Sequence, residues 1–310
     1  MRVTAPESAM KPLQTPLAVT CLLVNAFFWG ISWWPFRQLE LQGLHPLWAT
    51  AGIYALTVVV MLLWRPGVLR LCAGHPLLWL LAAVAGLTNV GFNWAVTIGD
   101  VLRVVLLFYL MPAWSVLLAW PLIGERPTAA GLLRLVLALA GVVVVLDAGT
   151  AGWPVPRSGA DWLALMAGFC FAFTNVLLRK MDRVPAPARV MAMFAGGTVL
   201  AAATAGVGLA QGLIAAPQMQ AGGLPVGLML GVAFLLGNVA LQYGAARLPA
   251  HTTALIMLSE VVFASVSSIA LGAATLTLHT TLGGVLILAA AVWSAWPARR
   301  QPDARIADAQ

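Results

Sequence analysis

The sequence predicts an all-α integral membrane protein of ten transmembrane helices, built as two inverted five-helix repeats with the N- and C-termini cytoplasmic. Three observations lead there. Of the 310 residues, 61% are hydrophobic and only 9% charged, with a mean hydropathy of +0.93, a balance that a water-soluble domain of this length does not sustain. Apolar runs of about 18 to 24 residues, the length that crosses some 30 Å of hydrocarbon, recur ten times. The second five of these runs repeat features of the first five.

The first run, 17–37, resembles a signal peptide only at a glance. It is long, carries Arg37 at its far end and has no convincing small-x-small cleavage site, so it is expected to be retained as a helix. The next run, 47–64, closes at Arg65, and runs 77–98 and 101–122 are separated only by Gly99 and Asp100. Run 129–147 follows Thr128, a good N-cap, with Glu125 and Arg126 before it in a capping and ion-pairing position. Run 159–181 ends on Arg179 and Lys180, after which come 187–210 and 225–246. Run 250–272 holds one carboxylate, Glu260, near its middle, and 277–297 precedes Arg299 and Arg300. These give a first repeat over 17–147, a second over 159–297, and cytoplasmic tails at 1–16 and 298–310.

Basic residues sort by side. With the N-terminus inside, the inner loops and ends hold Arg2, Lys11, Arg65, Arg70, Arg126, Arg179, Lys180, Arg183, Arg189, Arg247, Arg299, Arg300 and Arg305. The outer side holds Arg37, Arg103 and Arg157, while Arg134 falls inside a run. Because translocating positive charge is disfavoured, this bias places both termini in the cytoplasm, as an even helix count requires. The net charge of +7 comes from these short clusters, not from a basic stripe interleaved with aromatics, so nucleic acid is not expected as a partner. Cys21, Cys72 and Cys170 form no spacing motif, and neither a disulfide framework nor a metal site follows from them.

A shift of 149 lays "NVGFNWAVTIGDVLRVVLLFYLMPAW" (89–114) over "NVALQYGAARLPAHTTALIMLSEVVF" (238–263), matching Asn89 with Asn238 and Asn93 with Gln242. The same shift carries Thr128 onto Thr277. A shift of 142 lays "FFWGISWWPFRQ" over "FCFAFTNVLLRK", matching Phe27 with Phe169 and Arg37 with Arg179. Five helices is an odd number, so the second half must be inverted relative to the first. Inverted repeats characterise secondary transporters, because two pseudo-symmetric halves can close around a central site in two nearly equivalent ways.

The stretches "NAFFWGISWWPFRQL", "LMPAWSVLLAWPLIGERPTAAGLLRLVLALAGVVVVL", "FCFAFTNVLLRK" and "RLPAHTTALIMLSEVVFASVSSIALGAATLTLHTTLGGVLILAA" together resemble the drug/metabolite transporter superfamily, in particular its ten-helix EamA-type exporters. The resemblance runs from about Asn25 to Ala290. It implies export of a small organic metabolite, most naturally an amino acid or related compound, across the cell inner membrane, with protons as the coupling ion if there is one. Nucleotide-sugars and cationic drug-like solutes are the rival substrates; a non-transporting receptor or scaffold is the rival class. Two departures stand out: the family's Gly-Glu pair is present at Gly124 and Glu125 but reads Gly272, Ala273 in the second half, and Arg134 occupies a place where Gly283 stands in the repeat.

Polar residues inside the runs are the candidate site. A carboxylate at mid-membrane costs roughly 2.5–3.5 kcal/mol by analogy with other charged residues, so Glu260 is expected either to bind substrate or a proton or to be a structural acid bonded to a neighbouring helix. Thr253, Met257, Glu260, Ala264 and Ser267 share its helix face. EamA-like sequences often carry a Glu before a Pro at this point; here Val261 replaces the Pro. Asn89 with Asn93, and Asn238 with Gln242, offer amides on repeat-related faces, suited either to a polar solute or to helix–helix bonding. Arg103 is placed to clamp a substrate carboxylate, to pair with Asp100, or to snorkel. Trp29 and Trp33, one turn apart on a face with Asn25, can stack on an aromatic or cationic group, and Tyr109, Trp114 and Tyr243 are lesser candidates. Asn175 completes the set. The four histidines have no partner at ligand spacing, and no nucleotide-binding, nucleophile-elbow or HExxH motif is present, so neither a cofactor nor enzymatic activity is expected.

Overall fold

A computed structural model of the chain describes residues 14–124, 129–146, 155–181, 183–218, 222–245, 247 and 256–295. Glu125, Arg126, Thr128, His251 and Thr253, like most of both tails, lie outside the described residues. Among the described residues every regular element is a helix.

The first run continues past its expected end as α1 (Gln14–Ile31) and α2 (Trp33–Leu41). They meet at Ser32 because Pro35 has no N–H for the carbonyl of Ile31, and the Ser32 hydroxyl donates to the Trp29 carbonyl at 2.8 Å. Helix α3 (Pro46–Trp64) starts with Pro46 at its first position, and His45 Nδ1 accepts from the Leu47 N–H at 3.2 Å. A short α4 (Val68–Ala73), not expected from the apolar runs, leads to α5 (Pro76–Ile98). The fourth run is broken into α6 (Val101–Phe108) and α7 (Met111–Ile123), since Pro112 gives the Phe108 carbonyl no donor; α7 stops at Gly124, whose φ of 75° suits glycine. Then follow α8 (Ala129–Leu146), α9 (Gly159–Lys180), α10 (Ala186–Ala210), α11 (Gly223–Ala245), α12 (Ser259–Ala270) and α13 (Leu278–Ala295). A turn at Leu258 interrupts the ninth run just before α12, with Val261 N–H donating to the Leu258 carbonyl.

Among the described residues, six helices are long and apolar enough to cross a membrane: the continuous α1–α2 pair from Pro16 to Leu41, then α3, α5, α9, α10 and α11. Shorter apolar helices lie within the fourth, fifth, ninth and tenth runs. Large apolar side chains face outward along them, among them Leu63 (77% exposed), Trp64 (81%) and Trp79 (70%), a surface suited to lipid and its aromatic boundary.

Helix α5 lies between α9 and α10, and α1 lies between α11 and α12. Helices α3 and α10 pair, as do α8 and α13, and α9 also lies along α6 and α7. The contacts give directions: Asn25, Gly30 and Trp33 meet Met257, Glu260 and Ser267 in order, so α1 and α12 run parallel, whereas Gly99 meets Ala160 and Gly91 meets Ala167, so α5 and α9 run antiparallel. Since lipid tails are as apolar as leucine, close helix contact is what holds such a bundle, and small residues permit it. At Gly196 an added Cβ would sit 1.9 Å from the Ala82 carbonyl oxygen, and Gly86 approaches the Gly196 carbonyl in return.

Candidate functional site

The polar side chains buried in the bundle form two groups. The first lies where the breaks in the fourth and ninth runs face each other. Tyr109, at the α6–α7 break and 2% exposed, directs its hydroxyl to Glu260 Oε2 at 3.3 Å and to the Met257 carbonyl at 3.4 Å. Glu260 itself is half-buried, in the first turn of α12. Asn25 is fully buried on α1 and its Nδ2 donates to Met257 Sδ at 3.5 Å, while its Oδ1 has no partner and lies against Gly237 of α11. Gly30 lets the α1 backbone come up to Glu260, an added Cβ falling 2.8 Å from the Glu260 carbonyl oxygen.

An aromatic wall continues from Asn25. Trp29 stacks on Phe234 at 4.6 Å between centroids, and Phe234 in turn touches Phe36 and the ring of Tyr54. The Tyr54 hydroxyl donates to Asn89 Oδ1, Asn89 Nδ2 donates to the Ala85 carbonyl at 2.7 Å, and Asn93 Nδ2 donates to Thr50 Oγ1 at 3.0 Å. Asn93 is fully buried and its Oδ1 is unpartnered. Trp33 is buried, its indole N–H donating to Ser267 Oγ at 3.0 Å, so it ties α2 to α12.

The second group lies at the end of the bundle marked by Asp100. Arg103 forms a bidentate ion pair with Asp161, Nε to Oδ1 at 2.8 Å and Nη2 to Oδ2 at 3.1 Å, and Nη1 donates to the Val145 carbonyl at the end of α8. Asp100 is not its side-chain partner: Asp100 Oδ1 caps α6 through the Arg103 N–H at 2.9 Å and Oδ2 accepts from the Thr275 N–H at 2.9 Å. Asp161 is part of a capping box with Ser158 at the start of α9 and also accepts from the Arg157 N–H. Beside them lies a cavity of about 190 Å³ bordered by Asp100, Arg103, Thr277 and His279. Arg37 is likewise engaged, donating to the carbonyls of Val96 at 3.2 Å and Gly99, and resting on the Trp33 ring.

Of the sequence candidates, Asn25, Trp29, Asn89, Asn93 and Glu260 belong to the central group, together with Trp33 on its α12 edge. Asn238 lies half-buried on α11, and Gln242 is on the same helix. Arg103 is committed to Asp161, away from Glu260. Asn175 is exposed on α9. Tyr54 and Asp161 were not singled out by sequence reasoning, Met257 was named only as sharing the helix face of Glu260, and Tyr109 was only a lesser candidate. Asp161 had a legible signal in the Ser158-x-x-Asp161 pattern of a capping box. Tyr54 had none, because an aromatic in an apolar run ordinarily means packing. Among the described residues no cluster of three potential metal ligands occurs.

Residues 16–147 match the model of the EamA-like transporter family. A solved structure entitled only "Crystal structure of protein" overlays 89% of this chain and 96% of its own with a TM-score of 0.56; at 18% identity this is a likeness of fold. No curated protein matches the chain. Residues 16–147 are thus similar to the EamA-like transporter family, which belongs to the drug/metabolite transporter superfamily, and with the long apolar helices this indicates a multi-pass membrane protein.

Proposed function

We propose that the chain is a secondary transporter of the inner membrane that exports a small organic metabolite, an amino acid or related compound, by alternating access. The carrying observation is the contact of Tyr109 and Met257 with Glu260 and Asn25, at the two facing helix breaks. Discontinuous helices at the junction of two repeats are where secondary transporters build their sites, because the break frees backbone and side-chain groups for a ligand. The breaks at Tyr109–Leu110 and at Leu258 stand about one repeat shift of 149 apart.

Helix packing supports the inverted ten-helix repeat. Helix α1 lies on α11 and α12 as α9 lies on α5 and on α6–α7, and the α3–α10 and α8–α13 pairs join equivalent helices of the two halves. The alternation of parallel and antiparallel neighbours agrees with helices crossing back and forth. Glu260 is the group to which a coupling proton would bind. A cationic drug-like solute is the second reading, favoured by the carboxylate beside the Trp29–Phe234 wall.

Flux tests the proposal. Purified protein in liposomes preloaded with a mixture of radiolabelled amino acids and amines should release at least one of them faster than liposomes without protein, and Glu260→Gln should slow that release. A folded protein that binds such a solute and moves none would leave the receptor reading standing instead.

A further inference from the structure

Among the described residues, the central polar group carries unpaired amide oxygens. Asn25 Oδ1 and Asn93 Oδ1 are buried carbonyl oxygens without partners, and both are acceptors, like the Glu260 carboxylate. Gly237 leaves the space against Asn25 Oδ1 that any side chain would fill. Arg37 is engaged by the Val96 and Gly99 carbonyls and Arg103 through all three of its nitrogens by Asp161 and Val145, while Arg134, whose Nε has no partner, lies on α8 over the Trp293 ring of α13. Among unpaired buried donors, Trp114 Nε1 belongs to a ring packed on Phe169 at the α7–α9 seam, and Ser259 Oγ, next to Glu260, is a hydroxyl that can accept as well as donate.

A region with spare acceptors and a carboxylate matches a ligand that brings donors and positive charge. A primary ammonium has three donors and no acceptor, and its bonds to a carboxylate are roughly twice as strong as neutral ones. Tyr109 makes room for it. Its hydroxyl stands between Glu260 Oε2 and the Met257 carbonyl at nearly equal distances, so when an ammonium takes the carboxylate the hydroxyl turns to Met257 and no donor is orphaned. The Trp29–Phe234 stack beside Asn25 then receives the apolar remainder of the molecule.

We propose that the site reads its solute through a primary ammonium held by Glu260, and that a carboxylate on the solute goes unread. The inference rests on the transporter reading for the place of the site, but binding alone tests it. Phenethylamine, phenylalanine and 3-phenylpropanoate share a phenyl group and differ in ammonium and carboxylate. Titration calorimetry on the full chain in detergent micelles should find the amine and the amino acid bound with similar affinity and the acid at least about tenfold weaker, a 1.4 kcal/mol difference. Glu260→Gln should lose the amine by a similar factor while melting as the parent does. Equal binding of acid and amino acid, failure of the amine to bind, or unchanged amine binding by Glu260→Gln would overturn the proposal. Flux measured on the same preparation judges the other reading separately: transport without ammonium preference keeps the transporter and discards the ammonium, and ammonium-selective binding without flux does the reverse.

Discussion

Removing Asp161 should be among the most damaging single substitutions in this chain. The carboxylate is 2% exposed and receives Arg103 Nε, Arg103 Nη2 and the Arg157 N–H, while its own N–H is held by the Ser158 hydroxyl. Breaking a buried pair by deleting one partner costs about 3–5 kcal/mol because a desolvated charge is left behind. The Arg103 side chain is 22% exposed, which lets water relieve part of the orphaned charge and points to the low end of that range. Loss of the capping box adds about 1 kcal/mol, so Asp161→Ala should cost roughly 4 kcal/mol. Arg103→Ala should cost less, about 3 kcal/mol, since Asp161 keeps its backbone donors. The apolar double variant Arg103→Met/Asp161→Leu should recover much of the loss, because it buries no lone charge. Unfolding in mixed micelles by a denaturing detergent, followed by tryptophan fluorescence, measures all three. A cost under about 1 kcal/mol for Asp161→Ala, or strict additivity of the two sites, would refute the reasoning.

Gly196→Ala should lower stability by about 1–3 kcal/mol through its clash with Ala82, whereas Gly52→Ala on an open face of α3 should be neutral or raise it by up to ~1 kcal/mol; thermal melts with a thiol-reactive dye compare them. Ser267→Ala leaves the buried Trp33 indole N–H without its acceptor and should cost about 1–3 kcal/mol, a penalty that Ser267→Thr largely avoids if the hydroxyl is what matters. Burial pushes the His45 imidazole below its usual pKa, and its Nδ1 accepts from Leu47 only while unprotonated. Its contribution should therefore be intact above about pH 6.5 and lost as pH falls through the depressed folded-state value; His45→Asn, which keeps a capping acceptor, should melt with less acid sensitivity, and equal slopes would count against this. Flux through Glu260→Gln, if any survives, should lose the pH dependence of the parent, and an unchanged profile would remove the carboxylate from proton coupling.

Much of the bundle was legible in the sequence because a lipid-embedded chain writes its elements as apolar length. Helix α5 runs from Pro76 to Ile98 where 77–98 was expected, and α9 from Gly159 to Lys180 where 159–181 was. The break at Ser32 was not read from the apolar run, although Pro35 carries its cause, and the equally apolar fourth run concealed the break that Pro112 makes at Tyr109. At the site, the sequence by itself determined that Glu260, Asn25, Asn89 and Asn93 are polar groups inside apolar runs and so need partners. Only the tertiary structure decided which ones. It gave Arg103 to Asp161, 58 residues away, rather than to Asp100 or a solute, and brought Tyr109 to Glu260 across 151 residues. The reason is physical: the cost of burying a charge or an amide is local and visible in composition, whereas its satisfaction depends on which distant helix the packing of small residues brings within 3 Å or so.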